Sequence, residues 1–132
     1  MRHSSLKWVE ARGYAGMSRS RAQGFLGPAS REDENLIGIL RAMDAELGEA
    51  VLLNQLRATT DRIDLAASLS VLNVPISFYY SPDDPLVDAT WIESFTCDSD
   101  CFQSIPVKGH GHHLLLETPD DMAKHILLWS EL

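Results

Sequence analysis

The pattern of hydrophobic and polar positions predicts a helical first half of the chain. The clearest helix is "SREDENLIGILRAMDAELG", where Ser30 can cap the N terminus and the apolar residues Leu36, Ile37, Leu40 and Met43 recur at helical spacing. Two shorter helices are predicted before it, in "SLKWVEARG" and "MSRSRAQGFLG", each ended by a glycine. "EAVLLNQLRATTDR" predicts another after a glycine turn, and "DLAASLSVL" a short one.

After residue 73 the pattern changes to alternating strands and helices. Val74 to Tyr80 is an apolar, β-rich run without polar alternation, which is typical of a strand covered on both faces. "DPLVDATWIESFTC" predicts a helix, and "CFQSIPV" a second strand that Pro106 places at a sheet edge. The final helix, "TPDDMAKHILLWSEL", has a capping Thr118 and a proline at its first position. We expect its apolar side chains, Met122, Ile126, Leu127 and Trp129, to face the core.

Composition and charge exclude several classes of protein. The 132 residues are enough for a single globular domain, and 45% of them are hydrophobic. A formal charge of −8 argues against binding to nucleic acid, whose phosphates require basic neutralisation. No apolar stretch is long enough for a membrane span or resembles a signal peptide, and two cysteines cannot form a disulfide scaffold. We therefore expect a cytoplasmic location.

Two loops follow the two predicted strands and carry the candidate chemistry. About twenty residues connect the strands, which fits a parallel crossover. The C-terminal ends of parallel neighbours lie side by side, so the acid loop "SPDDPLV" (residues 81–87) should lie next to the histidine loop "KGHGHH" (residues 108–113). A carboxylate bonded to one imidazole nitrogen leaves the other nitrogen free to act as a base.

These segments carry a family resemblance. "VPISFYYSPDDPLV" followed by "VKGHGHHLLLETPDDMAKHILLW" resembles the C-terminal half of the α/β-hydrolase superfamily, and "LNQLRATTDRIDLAASLSVLNVP" looks like the passage from cap to core in its small bacterial members. The resemblance is loose before residue 50 and close after it. It implies an α/β fold: a partial α/β-hydrolase fold with a helical cap-like region over residues 1–63 and a strand–helix–strand–helix core segment over residues 64–132. For the complete fold it implies hydrolysis of ester, lactone or amide bonds, with no cofactor.

The resemblance assigns the site residues one by one. Asp84, which directly precedes "PLV", aligns with the triad acid, and Ser81 stands where the family usually has glycine. His112 aligns with the triad base because it follows a glycine and precedes an acid by five positions. Asp83 is the alternative acid and His110 the alternative base. His113 is expected to turn into the packing or the solvent.

Two other interpretations of the same residues stay open. Paired aspartates in "SPDDP" are common in turns without any catalytic role. The clustered histidines with Cys97 and Cys101 contain the usual ligand types of zinc, although the C-x₃-C spacing is loose.

The sequence lacks the nucleophile that the resemblance requires. The family places its serine on a G-x-S-x-G elbow after a buried strand. The nearest match, around Ser18, lacks the second glycine and follows no such strand, so helix capping explains Ser18 better. No glycine-rich oxyanion loop is present either. We therefore expect a truncated or split hydrolase that is inactive alone, and that associates with itself or with a partner chain supplying the other half. A non-catalytic binding protein derived from the fold is the alternative.

Overall fold

The structure is a computed structural model that describes residues 2–60, 63–72, 74–96 and 101–130. The elements are α1 (Arg2–Arg12), α2 (Arg19–Gln23), α3 (Glu34–Thr60), α4 (Ala66–Ser70), β1 (Ile76–Tyr80), α5 (Ala89–Thr96), β2 (Phe102–Pro106), α6 (Leu114–Glu117) and α7 (Pro119–Ser130). None of the described helices is long and apolar enough to span a bilayer.

The helical first half forms a small core around α3. Both α1 and α2 pack against α3, and the buried cluster consists of Ala22 and Leu26 from the α2 side and Ile37 and Leu40 from α3. Met43, which the helical spacing placed on the same face, is 46% exposed and lines a cavity beside Arg21 and Phe25. The core prediction is therefore right for the first two turns of α3 and wrong for Met43.

The ends of these helices differ from the prediction at two places. Asp33, rather than Ser30, caps α3: its Oδ1 accepts hydrogen bonds from the backbone N–H groups of Asn35 (2.9 Å) and Leu36 (3.1 Å). Residues 30–33 form a turn instead of the first helical turn. The second short helix ends at Gly24, three residues before the predicted stop.

Gly48 breaks α3 into two limbs. Its φ of 71° and ψ of −179° lie in a region that is accessible essentially to glycine alone. The predicted glycine turn is therefore present as a sharp kink inside one long helical segment.

The two strands form the predicted parallel pair. The register runs from Ile76 opposite Phe102 to Tyr80 opposite Pro106, so both strands end at the same edge. The expectation that β1 is covered on both faces is wrong within the described residues: only Tyr80 is buried, and the other four residues are half-exposed. Too few elements pack against the sheet to cover it.

Helix α7 starts as predicted but does not bury the expected face. It begins at Pro119 after Thr118, yet it contains no buried residue. Three of the residues assigned to the core are largely exposed: Ile126 at 54%, Leu127 at 66% and Trp129 at 46%. A cavity of about 400 Å³ separates Ile126 and Trp129 from the apolar side chains of the two strands, so this part of the prediction is wrong for the described structure.

Candidate active site

Asp84 and His112 form a hydrogen-bonded pair at the ends of the two strands. Nδ1 of His112 lies 2.9 Å from Oδ2 of Asp84. A carboxylate can only accept, so Nδ1 carries the proton in this bond, and in a neutral imidazole Nε2 keeps its lone pair. The Asp84 side chain is 6% exposed and that of His112 36%, so the acid is enclosed and the imidazole faces the solvent. The predicted juxtaposition of these two residues is confirmed.

The acid loop holds Asp84 through its own backbone. Oδ1 of Asp84 accepts a hydrogen bond from the N–H of Leu86 at 2.7 Å, which is a local turn interaction. One carboxylate oxygen is thus used to fix the side chain, and the other is aimed at His112. Asp84 therefore takes part both in the local turn and in the bond to His112, so the two interpretations of this residue are compatible.

Asp83 and Ser81 link the acid loop to the histidine loop without contacting His112. Oδ2 of Asp83 accepts from the N–H of Gly109 at 2.7 Å. Ser81 is fully buried, and its hydroxyl donates to the backbone oxygen of His110 at 2.5 Å while it accepts from the N–H of Asp83. The serine that replaces the expected glycine is therefore a structural tie between the loops.

Glu117 holds the histidine loop in place through hydrogen bonds to backbone N–H groups. Its side chain is completely buried, and its two oxygens accept hydrogen bonds from the N–H groups of Gly27 and Gly111, both at 2.9 Å. The backbone N–H of His112 donates to the oxygen of Phe25 at 2.7 Å. The segment that follows α2, residues 25–29, and the histidine loop are thus bonded together on both sides of the base.

Two glycines allow these backbones to approach each other. A Cβ atom on Gly27 would lie 2.2 Å from the backbone carbon of His110, and one on Gly111 would lie 2.3 Å from the oxygen of Phe25. Real Cβ atoms do not come so close to backbone atoms, so any side chain here would push the histidine loop away. The position of His112 depends on the absence of side chains at both positions.

The other two histidines of the loop differ from His112 in their surroundings. Nδ1 of His110 is buried without a hydrogen-bond partner, and lies 3.8 Å from Oε2 of Glu117. His113 packs edge-on against the ring of Phe25, and burial, together with the neighbouring His112, lowers its pKa below the usual value. Neither contacts Asp84, so the structure favours His112 over His110 as the partner of the acid.

A cavity of about 360 Å³ opens beside the pair. Asp84, His112 and His113 line it together with apolar side chains from β1, α5 and α7. Its size falls within the range of small-ligand sites.

The described residues contain no group of three His, Cys, Asp or Glu side chains that could hold a metal ion. Cys97, one of the two cysteines considered as ligands, lies outside the described residues. Within the described structure the histidines are used for packing and for the bond to Asp84.

Ser18 is a helix cap. Its hydroxyl accepts from the N–H of Arg21 at 3.1 Å, and its backbone is extended, as expected for the residue before α2. A strand-to-helix elbow is not present at this position, because α1 precedes it and an irregular segment connects the two.

A comparison with solved structures finds a protein of similar fold. A thermophilic esterase from Thermogutta terrifontis, solved with malate bound, superposes with a TM-score of 0.80 at 18% identity. The likeness covers 98% of this chain and 48% of the esterase chain. The shared feature is the fold. The chain therefore shares a partial α/β fold with that esterase and spans about half of its length. No protein-family model and no curated protein matches the sequence.

Phe25, Gly27 and the role of Glu117 were not predicted from the sequence. Glu117 was noted only for its spacing from His112, although a carboxylate inside the apolar run "LLLET" signals a buried acid that needs donors. Gly27 was assigned to a helix end. Its partners are more than 80 positions away, so no local pattern could indicate them.

Proposed function

We propose that this chain supplies the acid and base of an ester-type hydrolase, with Asp84 orienting His112 and His112 acting as the general base. The observation that carries the proposal is the 2.9 Å bond between Nδ1 of His112 and the enclosed carboxylate of Asp84. It leaves Nε2 free beside a cavity, where a nucleophile's proton could be taken and later delivered to the leaving group. The fold likeness to an esterase supports the same chemistry.

In this proposal the nucleophile comes from a polypeptide segment outside the 132 residues. Ser18 caps a helix, and the esterase neighbour has about half its length beyond the matched region. Residues 1–63 then act as a cap region and residues 64–132 as the C-terminal part of the core. The segment could be joined to this chain or be a separate chain.

The decisive test is reconstitution with the polypeptide encoded immediately upstream of residue 1. Purified alone, the 132-residue chain should not hydrolyse nitrophenyl acetate appreciably, because its sequence contains no G-x-S-x-G elbow and Ser18 caps a helix. Joined or co-expressed with an upstream segment that carries a G-x-S-x-G elbow, it should hydrolyse the ester and become labelled by a serine-directed phosphonate.

Two results would contradict the proposal. Stoichiometric labelling of Ser18 in the isolated chain would show that the nucleophile was misidentified. A correctly folded, joined protein that shows no hydrolysis, or an upstream sequence without an elbow, would favour the non-catalytic binding protein instead.

We further propose that the missing segment covers β1 and α7. Within the described residues β1 pairs only with β2, so its other edge leaves N–H and C=O groups unpaired. Large apolar side chains are exposed nearby, including Leu115 at 69% and Leu128 at 63%. A parallel strand from the other half of a hydrolase fold would pair with the free edge of β1. The alternative is that a second copy of this chain covers the same edge.

The isolated chain should therefore self-associate at micromolar concentration in sedimentation velocity, because its apolar surface and open edge lack their partner. Leu128→Glu should reduce this association, since it places a charge in the exposed apolar surface of α7. Ala123→Glu, on an exposed position of the same helix, adds the same charge and should leave association nearly unchanged. A stable monomer with a single cooperative melt would contradict the proposal.

A further inference from the structure

Three cavities extend from the Asp84–His112 pair into the helical region, and each shares lining residues with the next. The cavity beside the pair shares His113 with a second cavity of about 240 Å³, which lies between α2, Phe25 and α3. The second cavity shares Tyr14, Arg21 and Leu52 with a third, of about 430 Å³, between α1 and α3. Arg21 thus stands where the two inner cavities meet.

The lining of the inner cavities is apolar apart from a few groups. Trp8, Val9, Leu52 and Leu56 provide most of the third cavity. The guanidinium of Arg21 lies 5.8 Å from the centre of the Phe25 ring, a distance at which a cation and an aromatic face attract each other. The site offers apolar contact and two ionisable groups of opposite charge, the guanidinium of Arg21 and the carboxylate of Asp44.

Arg21 makes no ion pair with any carboxylate in the described structure. Asp44 lines the same cavity, but Oδ1 accepts from the hydroxyl of Tyr14 at 2.6 Å and Oδ2 from the N–H of Met17 at 2.8 Å. By contrast, the neighbouring Arg19 pairs with Glu32 and Glu34 on the surface. The Arg21 guanidinium, with five donors suited to bidentate binding of a carboxylate, is therefore available.

We propose that the cavities around Arg21 bind a carboxylate attached to an apolar body, so that the hydrolase's substrate is an ester that also carries a free acid group. The apolar body would contact Trp8, Leu52 and Phe25, and the acid would pair with Arg21. The ester end would extend past His113 toward His112. This inference rests on the proposed function for the ester, but the binding of the acid does not require catalysis.

The test measures binding by the isolated 132-residue chain, followed by NMR at the Trp8 indole and by calorimetry. The probes are 3-phenylpropionate and its neutral amide, which share the apolar body and differ in charge. We expect the acid to bind about 2- to 5-fold more tightly than the amide, because Arg21 is exposed and a solvent-screened ion pair adds only modest affinity. Arg21→Gln should remove this preference, while binding of the amide is retained.

Arg19→Gln is the matched control. It removes the same charge from the same short helix, two positions away, but its guanidinium is already paired with carboxylates. The control should keep the preference for the acid. Thermal melts of both variants check that the fold is intact. The comparison of acid and amide binding by the unmodified chain tests the inference even if a variant fails to fold.

Three outcomes would overturn the inference: equal binding of acid and amide, an equal loss in the Arg19 and Arg21 variants, or no binding of either probe at millimolar concentration. None of them bears on whether the reconstituted protein hydrolyses nitrophenyl acetate. Failure of the proposed function with retained acid binding would leave a carboxylate-binding protein.

Discussion

In the reconstituted hydrolase, replacing His112 with alanine should lower kcat by about a million-fold, and replacing Asp84 by about ten-thousand-fold. These magnitudes follow a serine protease in which the base and its orienting acid were removed separately. The base is needed for proton transfer in both halves of the reaction, whereas the acid only orients the base and stabilises its charged form. The measurement is kcat for nitrophenyl acetate, corrected for the fraction of folded protein.

His110 provides the internal control for this experiment. It lies in the same loop two positions away, does not contact Asp84, and has its Nδ1 buried near Glu117. His110→Asn should change kcat by less than about 10-fold once folding is taken into account, because its imidazole takes no part in proton transfer. A loss at His110 as large as that at His112 would reverse the assignment of the base.

Gly27→Ala should destabilise the isolated chain by about 3 kcal/mol, at the upper end of the usual cost of overpacking a core. The added Cβ would meet the backbone of Gly109 and His110 at 2.2 to 2.6 Å, and backbone atoms cannot rotate out of the way. Moving the loop would also weaken the bond from the N–H of Gly27 to the buried Glu117. The loss is measured by urea unfolding of both chains at the same protein concentration, because the isolated chain is expected to self-associate.

Gly38→Ala is the matched control for Gly27→Ala. Gly38 lies within the first limb of α3, is exposed, and has no atom within 4 Å of the position of an added Cβ. The same chemical change should therefore stabilise the chain by about 0.5–1 kcal/mol, because alanine loses less backbone entropy in a helix. If the two variants shifted stability in the same direction, the close contact between residues 27 and 110 would be refuted.

The order of the elements indicated which two loops meet, and the family resemblance of the sequence indicated Asp84 and His112 within those loops. Each residue follows a strand, and parallel strands end at the same edge, so the order of elements alone brings the two loops together. The parallel crossover between β1 and β2 was also accessible, since a connection of about twenty residues containing a helix fits such a crossover. The chemistry of the pair follows from the types of its two residues, whereas the position of His112 also depends on the close packing at Gly27 and Gly111.

The failures share a different physical cause. The exposure of Leu127 and the half-exposure of β1 depend on how many elements are available to pack against them, which the periodicity of one element cannot reveal. Asp33 displaced Ser30 as the cap because both are good caps three positions apart, and only the turn between them decides which one begins α3. Local patterns give the preferred face of an element, whereas its burial is set by the rest of the fold.

The bond between Gly27 and Glu117 joins residues that are 90 positions apart in the chain. Closing so large a loop costs conformational entropy before any contact compensates for it, which makes such contacts late events in folding. The short-range elements on either side can form earlier, since their hydrogen bonds are local. The histidine loop would then acquire its final shape only when the segment after α2 docks against it, so that the geometry of the base is among the last features to appear during folding and among the first to be lost.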